Sequence, residues 1–178
     1  WSIYRQPQGL ERLMPKIKDL DADGIITRDC LDLEKIFKLN LPTIVCQHTE
    51  KSIDSVPNII TDSLAIGKIA AQHMLERGFK NFGYCGLKNI EWSQRREKSF
   101  TDQIKAAGYK VAICNTASNS QTRNRQKLTD WLKTLPKPVA VMACNDDQSA
   151  ELLIACKTCN FSVPDQVAII GVDNDQLT

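Results

Sequence analysis

No apolar run in this sequence approaches the roughly 20 residues of a membrane span, which argues against a membrane protein. The opening WSIYRQPQGL does not read as a signal peptide. Charge of one sign is equally scarce: 23 Lys and Arg against 21 Asp and Glu leave a formal net charge of +2. So even a balance gives no overall field that would gather nucleic acid, and any contact with DNA needs a module that this chain does not display. Phosphate-cradling sequences are missing too. There is no Gly-x-Gly-x-x-Gly, no Walker sequence and no Gly-x-Ser-x-Gly elbow. His48 and His73 stand alone, and no dense acidic cluster exists beyond Asp146 and Asp147, so neither a metal nor another cofactor is expected. These absences weigh against an enzyme.

What the chain does have is enough apolar material for a core. Hydrophobic residues make up 42% of 178, which suits a soluble globular chain of one large domain or two small ones. The cysteines number seven, and Cys46, Cys85, Cys114, Cys144 and Cys156 fall within apolar segments. An odd set of buried thiols fits a reducing, cytoplasmic compartment better than a disulfide framework. Cys156 and Cys159 have redox or zinc spacing, but they close a helical stretch instead of opening one, and no second ligand pair accompanies them.

From residue 61 onward, helical and strand patterns alternate. SLAIGKIAAQHMLERG (63–78) ends in a glycine stop signal and leads to FGYCG. Residues 92–108 are amphipathic and precede YKVAIC; 125–135, stopped by Pro136, precede VAVMAC; DQSAELLIACKTCN precedes VPDQVAIIGVD. Strands apolar on both faces, each reached through a helix, predict an α/β fold with a parallel sheet. The first sixty residues repeat the theme as a smaller lobe: WSIY as a strand, 8–20 as a helix, DGIIT as a strand, 31–39 as a helix and PTIVCQ as a strand. IDSVPNIITDS follows as an extended connection.

Polar residues gather where these strands end. ACNDD closes one, GVDND the next, and CGLKNIEW the one before the Trp92 helix. Each has an ordinary explanation: Asn145 and Asp146 as helix caps, Asp173 as a turn residue, Arg95 and Arg96 as a solvated helix face, Trp92 as packing. Together they also make a chemical set. Carboxylates and amides bridge sugar hydroxyls, an arginine fork donates to two oxygens, and an indole covers an apolar C–H face. Open α/β sheets bind ligands outside the carboxyl ends of their strands.

NIITDSLAIGKIAAQHMLERGFKNFGYCG, Arg96 followed by EKSF, ACNDDQSA and VPDQVAIIGVDND resemble, in order and spacing, the effector-binding domain of lactose-repressor-like regulators. The resemblance implies the two-lobed fold of periplasmic sugar-binding proteins, with residues 1–60 a partial first lobe, 61–173 the second, and 174–178 the start of a crossover back. It further implies that Arg96, Asn145, Asp146 and Asp173 line a cleft between lobes and bind the effector. EWSQRREKSF and VDNDQLT look most like the xylose-sensing members, whose sugar domain precedes an AraC-type helix-turn-helix. In that pattern Trp92 stacks on the sugar and Asp62 is the acidic residue at the crossover between lobes, while Arg95 stands where an acidic residue is expected. The implied partners are a small sugar effector, xylose or a related pentose, and DNA through a region outside this chain, with the protein a homodimer. The competing reading is a transporter's solute-binding protein, which would share the fold.

Overall fold

The computed structural model describes residues 14–18, 22–29, 33–47, 53–117 and 121–175. Two units divide the chain, Trp1–Thr61 and Asp62–Thr178.

In the first unit, α1 (Met14–Lys18), β1 (Ile25–Arg28), α2 (Leu33–Phe37), β2 (Thr43–Gln47) and β3 (Asn58–Ile60) build a three-stranded parallel sheet in the order β1-β2-β3. On β2 the side chains of Thr43, Val45 and Gln47 are buried, whereas Ile44 and Cys46 on the opposite face are half-buried. The WSIY strand, and all of the 8–20 helix except α1, lie outside the described residues. The segment expected to be a plain connection contains a turn followed by β3, which pairs Asn58 with Val45 and Ile60 with Gln47. Asn58 organises this turn: its oxygen accepts from the Ile53 amide at 3.0 Å, and its Nδ2 donates to the Ile53 and Val56 carbonyls at 2.9 and 2.6 Å. Three residues are too few to show strand alternation, and Pro57 immediately before them reads as a breaker. A Pro carbonyl still accepts, however, and the Val45 amide donates to it at 3.0 Å.

The second unit alternates α3 (Ser63–Glu76), β4 (Phe82–Leu87), α4 (Glu91–Ala106), β5 (Val111–Thr116), α5 (Gln121–Thr134), β6 (Val139–Ala143), α6 (Asp146–Thr158) and β7 (Val167–Ile170). All four strands are parallel, in the order β5-β4-β6-β7. Alternate side chains of each strand feed opposite faces. Phe82, Tyr84, Ala140, Met142 and Cys144 pack with Ala70, Ala71 and Met74 of α3 and Phe100 and Ile104 of α4. Cys85, Cys114, Val139, Val141, Ala143 and Val167 pack with Leu128 and Leu132 of α5 and Leu152, Ala155 and Cys156 of α6. Helices therefore cover both faces, which is why β4 and β6 are apolar without interruption. α3 and α4 stop where Gly78 and Gly108 take φ of +79° and +87°, a left-handed turn that costs glycine little.

This order also sets where the strand order reverses. The chain leaves β4 toward β5 on one side and returns to β6 on the other, so the connections after β4 and β6 diverge at their carboxyl ends. In open α/β sheets, ligands bind at such a reversal.

Candidate functional site

Arg96 sits at this strand-order reversal. It lies on α4 with only 5% of its surface exposed, and its Nη1 donates to the carbonyl of Cys144, the residue that follows β6. The side chain thus spans from the helix after β4 to the end of β6, bridging the two diverging strands. Its guanidinium carbon lies 4.7 Å from the ring centroid of Trp92, one helical turn earlier. Its Nη2 is 3.9 Å from Oδ1 of Asp173, which is within ion-pair range but beyond a hydrogen bond. The buried Nε has no hydrogen-bond partner among the described residues. Buried donors ordinarily have one, which makes this atom an exception among the described residues. Its neighbour Arg95 is the ordinary case, an exposed side chain paired with Glu91 at 3.0 Å.

Asn145 caps α6, its Oδ1 accepting from the Gln148 amide at 3.1 Å. Capping occupies the amide oxygen, while among the described residues its Nδ2 makes a long 3.5 Å contact with Asp147. Asp146 is the first residue of the helix, not the cap, and its Oδ2 accepts from the Asp175 amide at 2.8 Å. Asp173 follows β7 with a φ of +107°, a conformation that side-chain-bearing residues rarely adopt and that clusters at functional sites. Burial raises its carboxyl above the ordinary aspartate range; Arg96 opposes the shift, and Asp175, Asp146 and Asp147 add to it.

Arg96, Trp92, Asn145, Asp146 and Asp173 are therefore brought together at one edge. Asp62 stands apart from them in its contacts. It caps α3, accepting from the Ala65 amide at 2.9 Å. Because α3 runs into β4, its amino end lies at the same carboxyl edge of the sheet.

Several residues that support this edge carried no signal in the sequence. Gln148 Oε1 accepts from Thr116 Oγ1 at 2.9 Å, tying α6 to the end of β5. Ser93 Oγ accepts from the Leu87 amide at 2.9 Å, and its carbonyl accepts from the Tyr84 hydroxyl at 2.6 Å, which anchors α4 to β4. Asn115 donates to Glu97 at 2.8 Å, and its buried Oδ1 has no partner among the described residues. Gly171 leaves its β-carbon position to Asp146 Oδ1. A glycine closing a strand hints at such a close approach but does not say to what.

Among the described residues no group of His, Cys, Asp and Glu could hold a metal ion, and no helix is long and apolar enough to cross a membrane. Cys156 is in the core, where burial pushes its thiol up to about 11, and Cys159 closes α6. A thiol raised in that way is a poor nucleophile or ligand.

The family profile of the periplasmic binding protein-like domain matches residues 71–178. The chain belongs to this family. The xylose operon regulatory protein of Haemophilus influenzae is 29% identical over 99% of this chain and 48% of its own length. That of Escherichia coli K12 is 28% identical over 100% of this chain and 48% of its own. The chain thus spans about half the length of the curated relatives it matches. Among solved structures, the xylose-binding transcription activator xylR is 27% identical with a TM-score of 0.74, covering 88% of this chain and 44% of that one. A LacI family regulator from Enterococcus faecium with bound ribose, 23% identical, has a TM-score of 0.74 over 97% of this chain and 66% of its own, a likeness of fold. The α/β architecture with parallel sheets is the one these periplasmic-binding-protein-like regulators share.

Proposed function

We propose that this chain is the sugar-sensing domain of a transcriptional regulator. It holds a pentose, xylose foremost, at the carboxyl edge of the second sheet and controls an attached DNA-binding domain. The observation that carries this reading is Arg96, a buried guanidinium at the strand-order reversal that lies over Trp92 and within ion-pair range of Asp173. A hydroxyl-rich ligand meets each group around it. Arg96 donates through its guanidinium, the Asn145 Nδ2 donates beside it, and Asp173 accepts. The half-buried indole of Trp92, braced on one side by the guanidinium, offers apolar surface to the C–H face of a sugar ring. Asp62, at the same edge, is a further acceptor. This set suits binding and orienting a hydroxyl-rich ligand, and the relatives named as regulators support a receptor role. The relatives' names support the choice of xylose over other pentoses.

Calorimetric titration of the full-length protein with D-xylose, L-arabinose, D-ribose and D-glucose tests the proposal. Xylose should bind with a one-to-one isotherm and change the protein's affinity for its operator DNA. Heats no larger than dilution for every sugar would refute it.

A further inference from the structure

Asp146 is half-buried at the first position of α6, and both of its carboxylate oxygens are engaged by the turn that follows β7. Oδ2 accepts from the Asp175 amide at 2.8 Å, while Oδ1 lies against the α-carbon of Gly171, in the space a β-carbon would fill. The carboxylate therefore meets the turn at two points that flank Asp173, a hydrogen bond at Asp175 and close packing at Gly171. Between them the backbone passes through two consecutive left-handed residues, Asp173 at φ +107° and Asn174 at +55°. Such conformations persist only where the surroundings impose them. The grip is itself firmly mounted: Asn145 caps the helix beneath it, and the Ser149 hydroxyl donates to the Asp146 carbonyl at 2.8 Å.

We infer that Asp146 is a positioning residue whose carboxylate clamps the turn after β7 and so fixes where Asp173 presents its own carboxylate to the ligand. The inference rests on the sugar reading for its ligand, but the clamp can be measured without one. Gly171 is the sharpest probe. Its φ is not among the left-handed ones, so alanine fits the backbone there, yet the added methyl displaces Asp146 Oδ1. Gly171→Ala must then reproduce Asp146→Ala although it removes no polar group.

The test uses the full-length protein with two readouts, hydrogen exchange over residues 171–175 without sugar and calorimetric affinity for D-xylose. Asp146→Ala and Gly171→Ala should both speed exchange at the Asp175 amide and weaken xylose roughly ten- to a hundredfold, the range for losing a hydrogen bond to a charged group. Asp146→Asn keeps the acceptor and the shape, and should recover most of the affinity. Asp147→Ala removes a charge of the same sign next door without touching the clamp, and should stay within about threefold of wild type in xylose affinity. Unchanged exchange in Asp146→Ala and Gly171→Ala overturns the clamp. Faster exchange with unchanged affinity overturns the positioning role, as does an Asp147→Ala loss equal to that of Asp146→Ala, which would make the effect one of charge alone. A wild type that binds none of the sugars refutes the sugar reading, and the exchange readout still decides the clamp.

Discussion

The two ends of the second sheet treat their polar groups differently. At the amino end the polar side chains complete one another. Asn81 donates to the Pro138 carbonyl at 3.0 Å, just ahead of β4 and β6. Lys137 donates to the Leu132 and Leu135 carbonyls at 2.7 and 2.8 Å and lies over the Phe161 ring. The Ser162 amide donates to the Gln166 side chain at 2.9 Å ahead of β7. At the carboxyl end the Nε of Arg96 and the Oδ1 of Asn115 are buried with no partner among the described residues, and Asp173 is held at positive φ. One end is finished by the chain itself, and the other is built with groups to spare. An unmet buried donor costs stability, and the proposed sugar site gives that cost a purpose at the carboxyl end.

The hardest blow to this contrast is Arg96→Ala. Removing a charged donor from a desolvated site costs about 2–4 kcal/mol, so xylose affinity should fall roughly 30- to 1,000-fold by calorimetry. The far-UV spectrum should be retained, because the sheet and both of its cores remain. Wild-type affinity in this variant would leave the carboxyl edge no different in kind from the amino edge.

Asp173→Gly sharpens the contrast by separating stability from binding. Glycine accepts φ of +107° without penalty, so relief of about 1 kcal/mol should raise the melting temperature by roughly 3 °C while xylose binding is lost. The same residue sets a pH response. Its carboxyl is raised in the folded state, so in the window from the unfolded value up to the folded one the native chain holds the extra proton. Its contribution to stability is therefore gained as pH falls through the folded value and lost as pH rises. Xylose affinity should run the opposite way if the ionised form accepts the hydroxyl. It should weaken on acidification from a pH above the ordinary aspartate value, and Asp173→Asn should flatten that profile.

The smallest effect is expected at the other end. Asn81→Ala removes one exposed side-chain hydrogen bond and should cost about 1 kcal/mol in a denaturant melt, with xylose affinity unchanged. Lys133→Ala, on the exposed surface of α5, is the matching blank for both measurements. A loss of affinity in Asn81→Ala would mean that the two ends are coupled.

Much of this was legible residue by residue. The helices starting near Ser63 and Glu91 and the apolar strands VAVMA and VAII announce themselves by periodicity, and Gly78 and Gly108 mark their helix ends in fact as in pattern. The strand-end polar residues were legible as a group, but not their division of labour. Asn145 and Asp146 were interchangeable as caps in the sequence; in the structure Asn145 caps, and Asp146 turns to Asp175. β3 was missed because three residues next to a proline carry too short a pattern. Gln148 and Ser93 were missed because a polar residue on a helix looks the same whether it faces water or bonds to a neighbouring strand.

The sequence by itself determined the second unit's class of fold, because alternation of helix and strand periods and the lack of polar breaks in the strands leave a parallel sheet buried on both faces as the consistent arrangement. It also determined what kinds of group would collect at the strand ends. Only the tertiary structure decided what the buried one of two adjacent arginines bonds to. Arg95 and Arg96 differ by one helical position, about 100° around α4, and that rotation sends one side chain to Glu91 in solvent and the other beneath the end of β6. Local sequence records the face, since Arg96 shares the four-residue spacing of Trp92, Phe100 and Ile104 and Arg95 does not, but not the partner: that the guanidinium reaches the Cys144 carbonyl is decided by the packing of α4 against the sheet.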